Sequence, residues 1–254
     1  MRFTLPTGMD EPTVTTMKVS DAETKTSGDT TFYIFKCAVA AKEMASDIRA
    51  QIIDGNKTGT EYTYSVKEYA EYLLDHPETD GYADAAPVVK AMLNYGAYSQ
   101  VYFDKASVAL ANEKLTKEEK DVSGIQAQTI NRDDYSVSVP EGTEFLGATL
   151  SLKSKTTLSL YFRSGQNLTF SCTGRQLETV NEDGYQIVRI RNIEAKNLSN
   201  SFEVNITAGD AQGSVSYSPM NYCYMALKSD NATGALKDVV RALYNYWVAA
   251  EAYF

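Results

Sequence analysis

The sequence predicts an α+β protein: two tandem copies of a β-sandwich-like unit, each ending in two helices. Three observations carry that prediction. Short β-patterned runs are punctuated by turn residues, the period switches to helical in two places, and the halves share identities at a nearly constant displacement. At 254 residues the chain has room for two domains of ordinary size. The first repeat is expected over 1–104, a connecting segment over 105–142 and the second repeat over 143–254.

The first copy opens on strand signals at 2–5, 13–19 and 31–41. In the third, Tyr33, Phe35, Cys37 and Val39 share one face and Phe32, Ile34 and Ala38 the other, so a central strand is expected. Runs at 48–53 and 60–64 around Asp54-Gly55-Asn56 form a hairpin signal. The period then changes. Ser65 with Glu68 makes a capping box, and Val66, Tyr69, Ala70, Leu73 and Leu74 give a helical stripe. His76-Pro77 ends that helix, because proline disfavours helix at the residue before it. A second helix is expected over 85–103, with Pro87 in its first turn and a stripe of Val88, Met92, Tyr95 and Tyr102.

The connecting segment holds a helix-capable stretch at 110–120 and an extended one at 135–139, stopped by Pro140. Strand signals then recur at 148–152, 156–163, 168–172, 185–193, 202–206 and 214–217, followed by helices at 219–228 and 236–254. The duplication is plainest in the helices. Val88/Val239, Val89/Val240, Ala91/Ala242, Asn94/Asn245, Tyr95/Tyr246, Tyr102/Tyr253 and Phe103/Phe254 are identical. Tyr64-Ser65 recurs as Tyr217-Ser218, and Ala41-Lys42-Glu43-Met44 as Ala195-Lys196-Asn197-Leu198; the displacement drifts only from 154 to 151. Positions kept between copies should be shared core, so Tyr95, Tyr102 and their twins are expected to pack on the sheet. Trp247 stands where the first copy has Gly96, and is expected to fill a space left empty there or to meet the other copy.

An apolar fraction of 43% and a charged fraction of 22% exclude wholesale disorder. A net charge of −9 repels nucleic acid and anionic membrane. No run approaches the ~20 apolar residues of a membrane-spanning helix. The start, Met1 to Pro6, is too short and polar for a signal peptide, and its strand-like pattern points to an excised fragment whose signal lay upstream. Cys37, Cys172 and Cys223 are too far apart for a disulfide framework or a zinc site, and Cys37 and Cys172 read as small buried hydrophobes.

No catalytic apparatus is recognisable. His76 is the one histidine, at a helix end where a solvated or capping role is expected; without it no Ser-His-Asp or Cys-His system is possible. Carboxylates are plentiful enough to leave a glycosidase-like pair open, but none stands in a recognisable catalytic setting and they cluster in turns and polar helix faces. Glycine-rich phosphate loops are absent, and Asp54-Gly55-Asn56 and Asn181-Glu182-Asp183-Gly184 read as tight turns rather than calcium loops. No cofactor is implied. One constellation stands out. Ser159, Tyr161 and Arg163 alternate with Leu158, Leu160 and Phe162, while Tyr185, Arg189 and Arg191 oppose Val188 and Ile190. If those polar faces coincide, Tyr161, Arg163, Tyr185, Arg189 and Arg191 make a small basic, aromatic patch suited to a glycan or an acidic partner. The alternative is a solvated sheet face with ordinary cross-strand pairs.

Several of these motifs also carry a likeness. Val39-Ala40-Ala41-Lys42-Glu43-Met44, Tyr64-Ser65-Val66-Lys67-Glu68-Tyr69-Ala70, Val89 to Ala97 and Tyr102-Phe103, with the matching close Leu236 to Tyr246 and Ala249 to Phe254, resemble a module of large secreted and cell-surface proteins of gut Firmicutes such as ruminococci and clostridia. That resemblance implies an extracellular or envelope-attached, non-catalytic module. Polysaccharide, host or plant glycan, or other domains of the same polypeptide are its expected partners, with no nucleic acid and no membrane insertion. Glycan attachment and a structural, protein-interacting spacer are the two readings it leaves.

Overall fold

A computed structural model describes residues 1–7, 10–104, 109–152 and 156–254, and these form a mixed α+β fold in which every sheet is antiparallel. The chain divides into two units, Met1–Leu115 and Thr116–Phe254. Of the expected connecting segment, 109–115 belong to the first unit, 116–142 to the second, and 105–108 lie outside the described residues.

Alternation and turn residues build the first unit from hairpins: β1 (Arg2–Thr7), β2 (Asp10–Thr16), β3 (Glu23–Ser27), β4 (Thr30–Ile34), β5 (Ile48–Asp54) and β6 (Lys57–Tyr64). One sheet has the order β2-β1-β5-β6, and β3 and β4 pair only with each other. This corrects the central strand expected at 31–41. Regular pairing stops at Ile34 and both faces of β4 are in solvent. Phe35, Cys37 and Val39 leave the hairpin and pack against Phe3, Ile48 and Ala50. Strand β3 gave no sequence signal because Glu-Thr-Lys-Thr-Ser has no apolar alternation.

Two helices close the unit, α1 (Val66–Asp75) and α2 (Tyr82–Tyr102). The Ser65 hydroxyl accepts from the Glu68 amide at 3.0 Å, and the Glu68 carboxylate accepts from the Ser65 amide at 3.1 Å, the expected capping box. A further orphan donor of the first turn, the Lys67 amide, is met by the Met44 carbonyl at 2.8 Å. Helix α2 starts at Tyr82, so Pro87 falls in its second turn rather than its first. Met44, Ala70, Leu93, Ala97, Ala111 and Leu115 form one buried cluster. Gly96 is not beside an empty space: a Cβ there would overlap the Met44 sulfur. The helix expected at 110–120 shrinks to α3 (Lys117–Lys120), in the second unit. Buried amides hold the preceding residues in turns against α2. The Gln100 side chain accepts from the Ala111 amide at 2.8 Å, and Asn112 donates to Asn94 at 2.7 Å.

The second unit continues with α4 (Ala127–Ile130), β7 (Ser136–Ser138), β8 (Thr143–Ser151), β9 (Thr156–Ser164), β10 (Thr169–Ser171), β11 (Glu178–Glu182), β12 (Tyr185–Ile193), β13 (Phe202–Ala208), β14 (Ala211–Tyr217), α5 (Pro219–Lys228) and α6 (Gly234–Tyr253). Its sheets have the orders β10-β13-β14-β7 and β11-β12-β9-β8. Ring pairs join one sheet to the other: Phe162 to Phe170 at 5.2 Å and Phe145 to Tyr217 at 6.3 Å. Leu158, Leu160, Phe162, Val188, Ile190, Val204 and Val215 are wholly buried.

The duplication reaches individual bonds. A 3-10 turn, a β-hairpin and a helix pair recur in the same order, with turns at Ala41–Glu43 and Ala195–Asn197. Gly55 and Gly209 make the same positive-φ turn, with φ of +57° in both. The Met220 amide donates to the Leu198 carbonyl at 3.2 Å, as Lys67 does to Met44. Lys42 lies 5.4 Å over the Phe103 ring and Lys196 lies 5.1 Å over the Phe254 ring. The kept tyrosines are not all core: Tyr95 is buried, but Tyr102 and Tyr253 are exposed, set edge-on against the rings that follow them.

The two first-helix caps differ in depth. Asn221 replaces Glu68 and is wholly buried, accepting from the Ser218 amide at 2.6 Å and donating to the Arg132 carbonyl at 2.7 Å and to Asp134 at 2.9 Å. Asn221→Ala strands the buried Ser218 amide and removes the bonds to Arg132 and Asp134, and is expected to cost ~2–3 kcal/mol. Glu68→Ala, at an exposed cap, is expected to cost about 0.5–1 kcal/mol. Denaturant melts of the two variants check this, and equal losses would contradict it.

Candidate binding face

Strands β9 and β12 run antiparallel, with Ser159 opposite Arg189 and Tyr161 opposite Ile187. Side chains alternate along a strand, so Ser159, Tyr161 and Arg163 share a face with Tyr185 and Arg189. Leu158, Leu160, Phe162, Val188 and Ile190 fill the other. The pairing shifts between Ile190 and Ile193, where Asn192 takes a φ of +59°, yet Arg191 still reaches the carboxylate that Arg189 uses. The five residues singled out by the sequence therefore lie together.

Their charge is not what was expected. Arg163 sits directly opposite Glu144 on β8 and pairs with it at 3.0 Å, with its guanidinium 5.6 Å from the Tyr185 ring centre. Arg189 sits opposite Glu178 on β11, pairing with it at 3.3 Å and with Glu182 at 3.4 Å. Arg191 also pairs with Glu178. Three arginines meet three glutamates, so the patch is a neutral cross-strand ladder edged by tyrosines rather than a basic surface. Both flanking strands were hard to read. β11 is Glu-Thr-Val-Asn-Glu, and β8 begins five residues before the apolar run that announced it. The Arg191 hydrogen bond, with further help from Arg189, holds the Glu178 carboxyl below the usual glutamate range.

A surface cleft of about 300 Å³ adjoins the ladder, lined by Gly174, Arg175, Gln176, Leu177, Glu178, Arg191 and Asn192. The Arg175 guanidinium lies 5.2 Å from the Phe202 ring centre, and among the described residues no carboxylate pairs with it. Its donors, with the side-chain amides of Gln176 and Asn192, suit hydroxyl or carboxylate oxygens. Sequence reasoning missed Arg175, which lies between the strand signals at 168–172 and 185–193.

Burial pushes the Cys223 thiol up to about 12 and raises Cys37 and Cys172 as well, which keeps all three as thiols at neutral pH. Cys37 and Cys172 are half-buried rather than buried as expected. His76 is half-buried, its ring tilted 4.0 Å from the Tyr72 ring, and donates from Nδ1 to the Tyr72 carbonyl at 2.7 Å, so it caps the end of α1. Among the described residues no group of three or more His, Cys, Asp or Glu side chains could hold a metal ion, and no helix is long and apolar enough to cross a membrane.

The ladder makes a pH prediction. Glu178 has a depressed folded-state pKa, so its contribution is present above the unfolded carboxylate value and is lost as pH falls through the folded one. A carbon-detected titration is expected to place the Glu178 midpoint below that of an isolated glutamate, and Arg191→Gln is expected to raise it. A midpoint at or above the ordinary value would contradict the pairing. In comparisons of this chain with protein-family models, with curated proteins and with solved structures, nothing matches.

Proposed function

We propose that the chain is a non-catalytic binding module of an extracellular or cell-envelope protein, and that it contacts other polypeptides, including neighbouring domains of its own protein. Each copy is, on this reading, a two-sheet sandwich closed by its helix pair, repeated to build length and present surfaces. The likeness of its helical motifs to modules of gut Firmicutes surface proteins supports that setting. One observation carries the protein-contact reading. Phe32, Tyr33 and Tyr62 lie on the strands of the first unit at 53%, 55% and 65% exposure. Large apolar side chains grouped on strands in solvent are the usual mark of a surface that another protein covers.

Glycan attachment is the second reading, favoured by Tyr161 and Tyr185 on the ladder face and by the Arg175 cleft at the far end of β12. Stacking of sugar rings on those tyrosines and hydrogen bonds from Arg175 would serve it. The neutral ladder weighs against an acidic polysaccharide, because the charges of Arg163, Arg189 and Arg191 are already met within the sheet.

Two measurements separate the readings. Passage over insoluble plant and host polysaccharides, with a glycan array, is expected to retain neither the chain nor its Tyr161→Ala/Tyr185→Ala variant. Retention of the wild type that the variant loses would overturn protein contact in favour of glycan. Thermal or denaturant melts supply the second. Phe32→Ser and Tyr33→Ser are expected to change stability by less than ~0.5 kcal/mol, as surface substitutions do. Val188→Ser, at the matching strand of the second unit, is expected to cost ~2–4 kcal/mol. A comparable loss at Tyr33 would mean that the strand is already covered in the isolated chain.

A further inference from the structure

The copies differ most where one continuous stretch, residues 136–164, covers the second of them. The hairpin β3–β4 is the counterpart of β11–β12. Glu23↔Ile34, Thr24↔Tyr33, Lys25↔Phe32, Thr26↔Thr31 and Ser27↔Thr30 match Glu178↔Arg189, Thr179↔Val188, Val180↔Ile187, Asn181↔Gln186 and Glu182↔Tyr185 at a constant displacement. The free edge of β12 is taken by β9, with Leu160 opposite Val188 and Tyr161 opposite Ile187. Among the described residues no strand takes the matching edge of β4. The same holds for the second hairpin, where β7 pairs with β14 but no described strand pairs with the outer edge of its counterpart β6.

The exposures follow the missing strands. Ile187 and Val188 are 3% and 0% exposed, whereas Phe32 and Tyr33 at the matching positions are more than half exposed. Val215 and Tyr217 are 0% and 5% exposed, against 65% and 39% for Tyr62 and Tyr64. The first unit has kept the apolar side chains of this surface without the strands that bury them.

We infer that the free edge of β4 is a strand-addition site. It takes an extended segment of a partner polypeptide that runs antiparallel to Phe32–Tyr33–Ile34 and carries apolar residues at alternate positions, as β9 does with Leu158, Leu160 and Phe162. The inference rests on the protein-contact reading above and names the class of partner. The occupant is chosen by what pairs with the equivalent hairpin in this same chain: β9, whose three alternate apolar side chains are wholly buried on the face they share with Val188 and Ile190. Main-chain groups on an open edge supply the hydrogen bonds of such an addition, and alternate side chains supply its selectivity.

The test titrates a fluorescent peptide with the sequence of residues 156–164 into the full 254-residue chain, with amide exchange read separately at 30–34 and at 185–193. Saturable binding is expected, with new protection at 30–34. Tyr33→Asp, at the position that matches Val188 opposite Leu160, should weaken binding at least tenfold while leaving the circular dichroism spectrum unchanged. Tyr33→Lys is the second variant should that one unfold. A peptide with serine in place of Leu158, Leu160 and Phe162 should not bind. Absence of saturable binding, protection only at 185–193, or affinity unaltered by the variants overturns the proposal. So does dimerisation of the chain that Tyr33→Asp abolishes, because the occupant is then a second copy. A failed titration removes this edge alone, whereas retention on polysaccharide would remove the protein-contact reading itself.

Discussion

A single main-chain hydrogen bond ties each helix pair to its strands: the Lys67 amide to the Met44 carbonyl in the first unit, the Met220 amide to the Leu198 carbonyl in the second. Each donor is the second residue of a helix and would otherwise be an orphan of the first turn. The serine before it, Ser65 or Ser218, satisfies the next amide. The carbonyl belongs to the residue that ends the 3-10 turn, so strand hairpin, turn and helix meet at one point. Helix direction is then set by backbone geometry, and side chains can vary around it. Met44 lies over Gly96 in one copy. In the other, Leu198 stands at the methionine position and Trp247 at the glycine, with the indole 5.4 Å from the Tyr244 ring.

Around that fixed junction the copies have diverged by coverage rather than by frame. Residues 116–164 serve the second unit at several places. Ile125 and Thr129 carbonyls accept from Arg241 and Tyr244, Arg132 and Asp134 hold Asn221, and β7, β8 and β9 complete both sheets. The first unit has a smaller wrapping, 109–115 held by Gln100 and Asn94, which reaches its helices and leaves its hairpins open. The apolar surface left on β4 and β6 is the sum of those absences among the described residues.

Much of this was legible in the residues. Ser65 with Glu68 announced α1, and the repeated Tyr-Phe motif announced the helix ends, although not that Lys42 and Phe103 would meet. The periodic helices were read well because an apolar stripe is a local signal. Strands β3 and β11 were missed because they lie in hairpins with polar sequences, where pairing rather than burial holds them. The burial of β4 was misjudged for a related reason. Two apolar faces state what a strand would bury, but whether it does depends on a neighbour that no local pattern reveals. The binding face shows the same limit. Alternation brought Tyr161, Arg163, Tyr185, Arg189 and Arg191 together correctly, while the glutamates that neutralise them come from flanking strands whose register only the fold supplies.

One frame occurs twice, and among the described residues only the second copy has its sheets covered. Hydrogen–deuterium exchange resolved to short fragments tests it most directly, because protection reports pairing and burial strand by strand. The account predicts similar slow exchange in α1–α2 and α5–α6, slow exchange throughout β9 and β12, and fast exchange in β4 and along β6. Protection of β4 in the isolated chain equal to that of β12 would contradict it.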